Sequence, residues 1–463
     1  MKTFAIDTLG CKVNQYESQQ IRELLEQLGL YQVEPSKSEP DLVVINTCCV
    51  THTASAKSRQ YIRKAQRLSP DARIVVCGCL ATGQSDELND PGENICLIKH
   101  QGDLAGTLSQ IVSGKASIAT PQRAQPCLYT IIRADNAGKI KRKNKLSHPP
   151  RLPQLTCFRG QTRAFLKIQD GCDGCCSYCI IPKTRPYVRS KPAEAALEEA
   201  QGLVRAGHKE IVLTGVFLGA YGQTSVRRKN WDEPRKDKLA DLLEKMAEIR
   251  DLARIRLSSL EPADVTPRLL DTFCKYRKIM PHLHLSLQSG SNAVLKRMRR
   301  QYTTDEFMRT VEAIKSQLDR PAITADIIVG FPGETDGDFR QTIDLAKKTG
   351  FARMHVFSFS ARKGTIAAGL QGAVNNRVIK ERSQRLRDLG IELGKRFREQ
   401  FIGENATILV ENSAGQPCGR SERYFMVYLE KTVAMAKNNE LVRVKLIENG
   451  ENGVIGQLVR REG

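Results

Sequence analysis

The stretch Gln169-Asp-Gly-Cys-Asp-Gly-Cys-Cys-Ser-Tyr-Cys-Ile-Ile-Pro182 contains cysteines in the spacing C-x3-C-x2-C. These are Cys172, Cys176 and Cys179, and an aromatic residue, Tyr178, precedes the last of them. Three thiolates on one short loop can hold three irons of a four-iron cluster and leave the fourth iron without a protein ligand. A structural zinc site would need four ligands, usually as two separate pairs. The spacing therefore predicts an iron–sulfur cluster whose open iron binds a small molecule.

The chain has 463 residues, enough for several domains with separate cores. Its composition, 40% hydrophobic and 27% charged, is that of an ordinary soluble protein, and no apolar run approaches the length of a membrane span. The first ten residues have the pattern of a short strand and not that of a signal peptide. We predict a cytoplasmic monomer that does not bind membranes. In a reducing compartment, the 14 cysteines are expected to be metal ligands rather than disulfide partners.

The charge of the chain is strongly positive. It carries 72 Lys and Arg against 51 Asp and Glu, a formal net charge of +21. Such an excess attracts polyanions, and nucleic acid is the commonest polyanion in the cytoplasm. The alternative is a basic surface that serves only solubility. The charge therefore favours a nucleic acid partner.

Residues 1–113 alternate between strand and helix patterns. The predicted elements are strands at 4–11, 42–48 and 74–79 and helices at 17–28 and 54–68. This βαβαβ order predicts a parallel sheet. Cys11, Cys48 and Cys79 then fall just past the carboxyl ends of three strands, where ligands bind in open α/β sheets. We predict that these three cysteines hold a second cluster; the alternative is that they are small buried hydrophobic residues.

Residues 114–157 are poor in apolar residues and contain many basic residues and prolines, which predicts a basic linker. This linker is either a solvated connector or a contact for phosphates. Residues 158–399 resume the alternation of strands and helices. Six predicted strands lie at 165–169, 210–214, 254–258, 282–287, 324–329 and 353–359. Six strand–helix units predict a partial (βα)6 barrel, with the three-cysteine loop at the carboxyl-terminal mouth, where such barrels carry their chemistry.

Residues 400–463 have the pattern of short strands separated by turns. In Val442-Arg-Val-Lys-Leu446 the apolar residues alternate with basic ones, so one face is expected to join a core and the other to be basic. A small β-barrel with a basic face suits RNA. The predicted fold class is therefore α/β, with an N-terminal parallel sheet, a central partial barrel and a small C-terminal β-barrel.

Several residues after the predicted barrel strands are candidates for binding a cofactor. They are Thr214, Gly215, Ser258, Glu261, Gln288 and Gly330. Glycines let the backbone approach a ligand closely, and the side chains of Glu261 and Gln288 can hydrogen-bond a ribose or an amino group. Each residue alone is a weak signal, because turns are rich in such residues. Together, beside a cluster, they predict a cofactor site.

Basic residues near the predicted mouth have two interpretations. Arg185 and Arg189, just past the cysteine loop, can pair with a carboxylate or a phosphate, or form a solvated helix start. The run Lys296-Arg-Met-Arg-Arg300 is interpreted as helical surface charge or as a contact for RNA phosphates.

With these motifs the sequence resembles the methylthiotransferases of the radical S-adenosylmethionine (SAM) superfamily along nearly its whole length. The N-terminal resemblance lies in Thr8-Leu-Gly-Cys-Lys-Val-Asn-Gln-Tyr-Glu-Ser18, Asn46-Thr-Cys48 and Gly78-Cys79. The central resemblance lies in residues 171–182, 257–262, 284–298 and 326–334. The tail is similar to a TRAM domain, an RNA-binding β-barrel, whose usual turn is matched by Gly419-Arg-Ser-Glu-Arg-Tyr424. The stretch that begins at Thr8 is most like the branch acting on N6-threonylcarbamoyladenosine in tRNA.

The resemblance implies two [4Fe-4S] clusters and SAM as cofactors. One cluster would bind to Cys172, Cys176 and Cys179, and its open iron would chelate SAM beside the six candidate residues of the mouth. The second cluster would bind to Cys11, Cys48 and Cys79. The implied partners are tRNA and an electron donor such as a flavodoxin-type protein.

The implied reaction inserts a methylthio group at C2 of the modified adenine at tRNA position 37, next to the anticodon. The first cluster reduces SAM to methionine and a 5′-deoxyadenosyl radical, which abstracts the C2 hydrogen. The second cluster presents a methylated sulfur to the carbon radical. The cofactors carry this chemistry, so no side chain is assigned as an acid or a base.

Three alternatives remain open from the sequence. The first is the same chemistry on isopentenyladenosine in tRNA or on an aspartate of a ribosomal protein. The second is a non-catalytic iron–sulfur sensor that binds RNA, which would not need the candidate residues of the mouth. The third is a zinc-binding RNA protein, which the ligand count disfavours. Cys175 is a departure from the family pattern, because it gives the loop a fourth thiol.

Overall fold

The computed structural model describes residues 1–83, 88, 94–99, 101–114, 152–231, 236–412, 415–430 and 436–459. The contacts divide the chain into two compact units. The first unit consists of Met1–Leu9, Gln20–Thr47 and Lys57–Pro153, and the second of Gly10–Gln19, Cys48–Ala56 and Gln154–Gly463. The predicted division into segments at 1–113, 114–157, 158–399 and 400–463 stays a prediction. Most of the predicted basic linker lies outside the described residues.

The N-terminal sheet has five parallel strands in the order β2-β1-β3-β4-β5. Their bounds are β1 Thr3–Thr8, β2 Tyr31–Gln32, β3 Leu42–Thr47, β4 Arg73–Gly78 and β5 Ile95–Leu97. Along β3, Leu42 and Val44 belong to one buried layer, and Val43 and Ile45 belong to another. Both faces are therefore covered, as is usual for a parallel sheet. The predicted parallel order is confirmed.

The helices of the N-terminal region are α1 Lys12–Gln27, α2 His52–Leu68, α3 Cys79–Gly83 and α4 Leu104–Val112. Helix α1 contributes Ile21 and Leu25, one turn apart, to the sheet core. It begins at Lys12, earlier than the predicted residue 17. The apolar periodicity starts late because the first turns bury polar residues instead, including Asn14 and Glu17, each 1% exposed.

The central region contains two four-stranded sheets, β7-β6-β8-β9 and β10-β11-β12-β13. The bounds are β6 Ala164–Asp170, β7 Arg189–Ser190, β8 Glu210–Gly215, β9 Arg254–Leu257, β10 Ser259–Leu260, β11 His282–Gln288, β12 Ala322–Val329 and β13 Arg353–Ser358. All pairs are parallel except that of β7 with β6. Only Ser258 separates β9 from β10, so one chain segment serves both sheets. The predicted six-stranded partial barrel is confirmed.

The helices of the central region are α5 Ile181–Thr184, α6 Ala193–Arg205, α7 Lys238–Ala247, α8 Pro267–Lys275, α9 Asn292–Arg297, α10 Thr304–Gln317, α11 Asp336–Thr349 and α12 Asn376–Glu399. Buried apolar residues of α6, α7, α8, α10, α11 and α12 pack into the core of these sheets. Thr303 and Thr335 begin α10 and α11 with capping boxes, and Gly350 ends α11 at φ +66°. Within the described ranges, no helix combines the length and the apolar character needed to cross a membrane.

The C-terminal strands form a closed barrel in the order β14-β15-β16-β18-β17. Their bounds are β14 Asn405–Asn412, β15 Cys418–Ser421, β16 Met426–Leu429, β17 Leu441–Asn449 and β18 Val454–Leu458. On β17, Val444 and Leu446 are buried, whereas Arg443 and Lys445 are exposed. This confirms the predicted alternation of core and basic residues.

The turn between β15 and β16 packs against the inner side of the central strands. The ring of Tyr424 stacks on that of His282, with 4.3 Å between the centroids. Arg256 donates hydrogen bonds to two carbonyl oxygens of the turn at 2.7 and 2.8 Å, and to the Glu210 carboxylate at 2.9 Å. Glu210 is fully buried, and Arg254 lies 3.7 Å from its second oxygen. The C-terminal barrel is thus fixed by charges buried in the central one.

The substitution Glu210→Ala is expected to destabilise the protein by about 3–5 kcal/mol, because it leaves buried arginines without their carboxylate. The measurement is the free energy of unfolding in denaturant. The matched control is Glu381→Ala, which removes a carboxylate from an exposed ion pair with Arg377 on α12, and its effect is expected to be small. Equal effects of the two substitutions would contradict the role given to Glu210.

Candidate functional site

The three-cysteine loop joins β6 to α5 and begins with a sharp bend. Gly171 has φ +78°, and a Cβ atom at this position would lie 1.8 Å from the carbonyl oxygen of Tyr187. Only glycine fits there. The next backbone N–H, that of Cys172, donates to the carbonyl oxygen of Arg185 at 2.8 Å. The first thiol is therefore held against the segment that follows the loop.

Hydrogen bonds from neighbouring loops anchor the rest of this segment. The carboxylate of Asp173 accepts from the Ser225 hydroxyl at 2.6 Å and from the backbone N–H of Val226 at 2.7 Å. The Ser177 hydroxyl donates to the carbonyl oxygen of Arg297 at 2.8 Å. These contacts tie the loop to two other segments of the central region and so restrict where its thiols lie.

A buried four-charge network, here called the base network, lies beneath the loop. Arg185 donates two hydrogen bonds to Glu17, at 2.8 and 2.7 Å, and one to Asp170 at 2.9 Å. Lys167 contacts the same carboxylates at 2.7 and 3.0 Å. Burial raises the pKa of each carboxyl, but the two cations outweigh it and hold both pKa values below their ordinary range. The predicted pairing of Arg185 with a carboxylate is confirmed, and its partners are this chain's own.

Arg300 places its guanidinium group against the loop. Its Nη1 lies 3.1 Å from Cys176 Sγ and 3.5 Å from the hydroxyl of Tyr178, and the side chain is only 7% exposed. The backbone turns inward at Arg299, where φ is +56°. The interpretation of the whole run 296–300 as surface charge or RNA contact is therefore wrong for Arg300. No sequence pattern distinguishes Arg300 from its basic neighbours, because only the turn after α9 directs it inward.

Glu261 forms ion pairs with two arginines. One of its oxygens lies 2.7 Å from Nη1 of Arg228, and the other is bonded by Arg300. Asp264 adds a second carboxylate to Arg228 at 3.0 Å. The carboxylate of Glu261 therefore orients the cation that contacts Cys176. The expectation that Glu261 contacts the cofactor stays a prediction.

The chemistry of the loop thiols fits an iron–sulfur cluster. Burial raises the pKa of Cys172 to about 12 and raises that of Cys176, the latter against the effect of Arg300. Thiols bind iron only after losing the proton, so a bound cluster would supply the positive partner that the buried thiolates lack. In the described part of the chain, no group of three or more His, Cys, Asp or Glu residues is placed to hold a single metal ion. A four-iron cluster does not require such convergence, because each thiolate binds a different iron.

Cys175, the fourth thiol of the loop, is exposed, whereas Cys172, Cys176 and Cys179 are partly buried.

The candidate cofactor residues lie at the carboxyl ends of their strands. Thr214 and Gly215 end β8, Ser258 separates β9 from β10, Gln288 ends β11, Gly330 follows β12 directly, and Glu261 follows β10. The Ser258 hydroxyl is buried and has no hydrogen-bond partner within the described ranges. Gln288 has φ +66°, a conformation that is costly for a non-glycine residue and clusters at functional sites. A ligand at this mouth would satisfy the Ser258 hydroxyl.

The second set of cysteines follows three neighbouring strands of the N-terminal sheet. Cys11 comes after β1, Cys48 after β3 and Cys79 after β4, and these strands are adjacent and parallel. Cys11 is exposed, whereas Cys48 and Cys79 are buried. Gly10, with φ +110°, allows a close approach, since a Cβ atom there would lie 2.9 Å from that of Cys48. The binding of a second cluster by these three thiols stays a prediction.

The substitution Arg300→Met is expected to lower the reduction potential of the loop cluster by about 60 mV. This is the one-electron equivalent of a hydrogen bond worth about 1.4 kcal/mol, and hydrogen bonds to cluster sulfurs help to set the potential. A redox titration followed by electron paramagnetic resonance measures it. The control Arg299→Met removes the same charge from an exposed neighbour and should leave the potential unchanged. A shift common to both variants would show a general charge effect.

Comparisons with known proteins place this arrangement in a family. The family described as "Radical SAM superfamily" matches residues 166–346, and "Uncharacterized protein family UPF0004" matches residues 3–98. A Bacillus subtilis (strain 168) relative named "Threonylcarbamoyladenosine tRNA methylthiotransferase MtaB" is 37% identical, over 99% of this chain and 97% of its own. An Erythrobacter litoralis (strain HTCC2594) relative named "tRNA-2-methylthio-N(6)-dimethylallyladenosine synthase" is 32% identical over the same shares.

A solved structure shows the same fold. The radical S-adenosylmethionine methyltransferase TsrM from Kitasatospora setae aligns with a TM-score of 0.52 at 14% identity, covering 77% of this chain and 72% of that one. This likeness concerns the fold alone. The sequence similarity to the curated relatives extends over almost their whole length. The chain therefore belongs to the radical SAM methylthiotransferase family, enzymes that use SAM and an iron–sulfur cluster.

Proposed function

We propose that the chain is a tRNA methylthiotransferase that converts N6-threonylcarbamoyladenosine at tRNA position 37 into its 2-methylthio derivative. The observation that carries the proposal is similarity to relatives named for threonylcarbamoyladenosine, at 36 to 37% identity over 87 to 99% of each sequence. Relatives named for dimethylallyladenosine are 31 to 33% identical. The similarity to both groups over most of their length supports methylthiolation of tRNA as the reaction. The higher identity to the first group supports N6-threonylcarbamoyladenosine as the acceptor.

On this proposal, Cys172, Cys176 and Cys179 hold a [4Fe-4S] cluster and leave one iron open to SAM. When bound, the cluster and SAM together supply the radical chemistry that removes the hydrogen from adenine C2. The contribution of the chain is to position these groups and to exclude water. The base network fixes the loop from below, and the buried guanidinium of Arg300 offers N–H groups to the sulfur of Cys176.

The residues of the mouth are proposed to bind SAM. Ser258 offers a buried hydroxyl without a partner, and Gln288 offers its side-chain amide. Gly215 and Gly330 allow the backbone to approach the ligand. The full proposed set is Thr214, Gly215, Ser258, Glu261, Gln288 and Gly330.

Cys11, Cys48 and Cys79 are proposed to hold a second [4Fe-4S] cluster that delivers the sulfur. The proposal is supported by the order of the sheet, because the three cysteines follow adjacent parallel strands at their carboxyl ends. A second cluster gives the transferred methylthio group a donor other than the cluster that binds SAM.

The substrate proposed for this site is tRNA, which suits the charge of the chain. The net charge of +21 and the exposed Arg443 and Lys445 on β17 favour contact with phosphates. Reduction of the SAM-binding cluster also needs an electron donor, for which a flavodoxin-type protein is the proposed partner.

Deletion of the gene is expected to remove 2-methylthio-N6-threonylcarbamoyladenosine from tRNA and leave the parent nucleoside in its place. The parent should accumulate because the proposed enzyme acts on an adenosine that already carries the threonylcarbamoyl group. Mass spectrometry of the nucleosides in total tRNA measures both species. Loss of a 2-methylthio isopentenyl nucleoside instead would assign the isopentenyl acceptor. Unchanged tRNA with loss of methylthio-aspartate would assign a ribosomal protein.

Substitution of single cysteines should separate the two proposed clusters. Cys172→Ala removes a ligand of the SAM-binding cluster and is expected to abolish 5′-deoxyadenosine formation. Cys48→Ala should retain SAM cleavage and lose the methylthio product, while the exposed Cys175→Ala should retain both. Wild-type protein prepared without oxygen should contain about eight irons per chain. Product formation by Cys48→Ala would exclude the sulfur-donor role, and zinc in place of iron would exclude the clusters.

A further inference from the structure

The inner face of the sheet β10-β11-β12-β13 changes character along its strands. The alternate side chains pack into the core under the helices; they are Leu283, Leu285, Ile323, Ala325 and, partly buried, Val356. The side chains between them face the inside of the partial barrel. In the direction of the mouth, the inner rows on β12 and β13 are Thr324 with Arg353, Asp326 with His355, and Ile328 with Phe357. The inner face is therefore polar in its middle and apolar next to the mouth.

Three side chains make up the polar part, here called the inner polar layer: His284, Asp326 and His355. Nε2 of His284 lies 3.2 Å from Oδ1 of Asp326, and its Nδ1 lies 2.9 Å from the hydroxyl of Thr324. The rings of His284 and His355 have centroids 5.6 Å apart. The side chain of Asp326 is 29% exposed. The layer is thus pre-arranged by its own hydrogen bonds and still accessible from the interior.

Next to the mouth, the inner face offers an apolar surface. Phe357 is 43% exposed although it lies on a strand, and Ile328 packs against the same small cluster as Tyr178 of the cysteine loop. An exposed aromatic ring suits contact with the face of a purine. A base placed there would direct a substituent either into the inner polar layer or out to solvent.

Lys12, which follows Cys11 at the start of α1, supplies a positive charge to this layer. It is half-buried, and among the described residues no ion pair or hydrogen bond engages its ammonium group. Burial chiefly, with smaller effects of Arg353 and Lys12, lowers the pKa of His355 to about 4, so its ring stays neutral at cellular pH. Burial raises the pKa of Asp326, but the hydrogen bond from His284 and nearby positive charge, including that of Lys12, lower it below its ordinary value. Two cations, Lys12 and Arg353, therefore act on a layer that holds one carboxylate, and a ligand with a single negative charge would balance them.

We propose that the inner polar layer and Lys12 bind the substituent on N6 of the target adenine, and that this substituent is an amino acid with a free carboxylate. The inference rests on the proposed function and adds the groups that select the acceptor. The ammonium of Lys12 meets the carboxylate, and Asp326 and His355 meet the hydroxyl and N–H groups. Phe357 and Ile328 contact the purine.

The same arrangement explains how an apolar substituent is rejected. An isopentenyl group would cover Lys12 and Asp326 and remove them from water without giving them a hydrogen bond. Groups buried without partners make such a site discriminate far more strongly than a difference in size would. The selectivity of the site thus comes from the polar groups that the wrong acceptor leaves unpaired.

The test compares anticodon stem-loop RNAs that differ only at adenosine 37, which is unmodified, threonylcarbamoylated, or threonylcarbamoylated with its carboxyl as a methyl ester. Dissociation constants are measured with the cluster-loaded protein. Wild type should prefer the acid, and Lys12→Met should reduce that preference by about 10-fold, the usual effect of one hydrogen bond to a charged group. Lys12→Arg should keep most of it. Wild type should bind the ester about as weakly as Lys12→Met binds the acid.

Several outcomes would overturn the inference. Equal weakening of all RNAs by Lys12→Met would make Lys12 a phosphate contact, and an unchanged preference would remove it from the site. The charge-matched control is Lys275→Met on α8, an exposed lysine that should not alter the preference. Iron content equal to that of wild type shows that the neighbouring Cys11 is undisturbed.

A second variant does not depend on Lys12. His355→Phe keeps a ring and removes its polar nitrogens, so it should strengthen binding of an isopentenyladenosine RNA and weaken binding of the acid. No change in either affinity would also overturn the inference. Failure of wild type to form any methylthio product on the acid RNA would instead refute the proposed function, which the binding preferences do not decide.

Discussion

The buried pair of Glu17 and Arg185 is the interaction on which the site depends. Glu17 lies on the helix that begins one residue after Cys11, and Arg185 holds the backbone of Cys172 through its own carbonyl oxygen. With Lys167 and Asp170, the pair forms a network in which two buried cations are balanced by two carboxylates. Removing Glu17 would leave two buried cations with one carboxylate, and removing Arg185 would leave two buried carboxylates with one cation, so either loss is destabilising. The segment that starts at Cys11 and the loop that starts at Cys172 are thus fixed to each other by electrostatics.

Not all of the positive charge of the chain is available to a partner, because several arginines are buried. Arg185, Arg254, Arg256, Arg300 and Arg382 are buried and paired with carboxylates or carbonyl oxygens of the chain itself. Arginine suits such places because its planar guanidinium makes several directed hydrogen bonds at once. Part of the basic composition therefore maintains the interior, and only the exposed remainder is available to a polyanion.

The sequence predicts the features that depend on residues close together in the chain and misses those that depend on contacts between distant segments. The long strands and the two cysteine sets are visible because apolar periodicity and ligand spacing are local properties. Strand β15 escapes prediction because Cys418-Gly-Arg-Ser421 has no apolar alternation, and β2 has only two residues. Arg300 and Glu261 receive their roles from tertiary contacts that join distant segments. A pattern read along the chain carries no information about such partners.

The docking of Tyr424 and its turn onto Arg254, Arg256 and His282 has a consequence for how this architecture can evolve. Small RNA-binding barrels are often regarded as movable parts that can be appended to different enzymes. Here carbonyl oxygens of the barrel accept hydrogen bonds from the buried Arg254 and Arg256 of the central strands. An ancestor that lost the barrel would therefore have had to neutralise several interior charges at the same time. Gain or loss of such a tail by recombination is consequently a poor route, and the two parts are expected to have been inherited together.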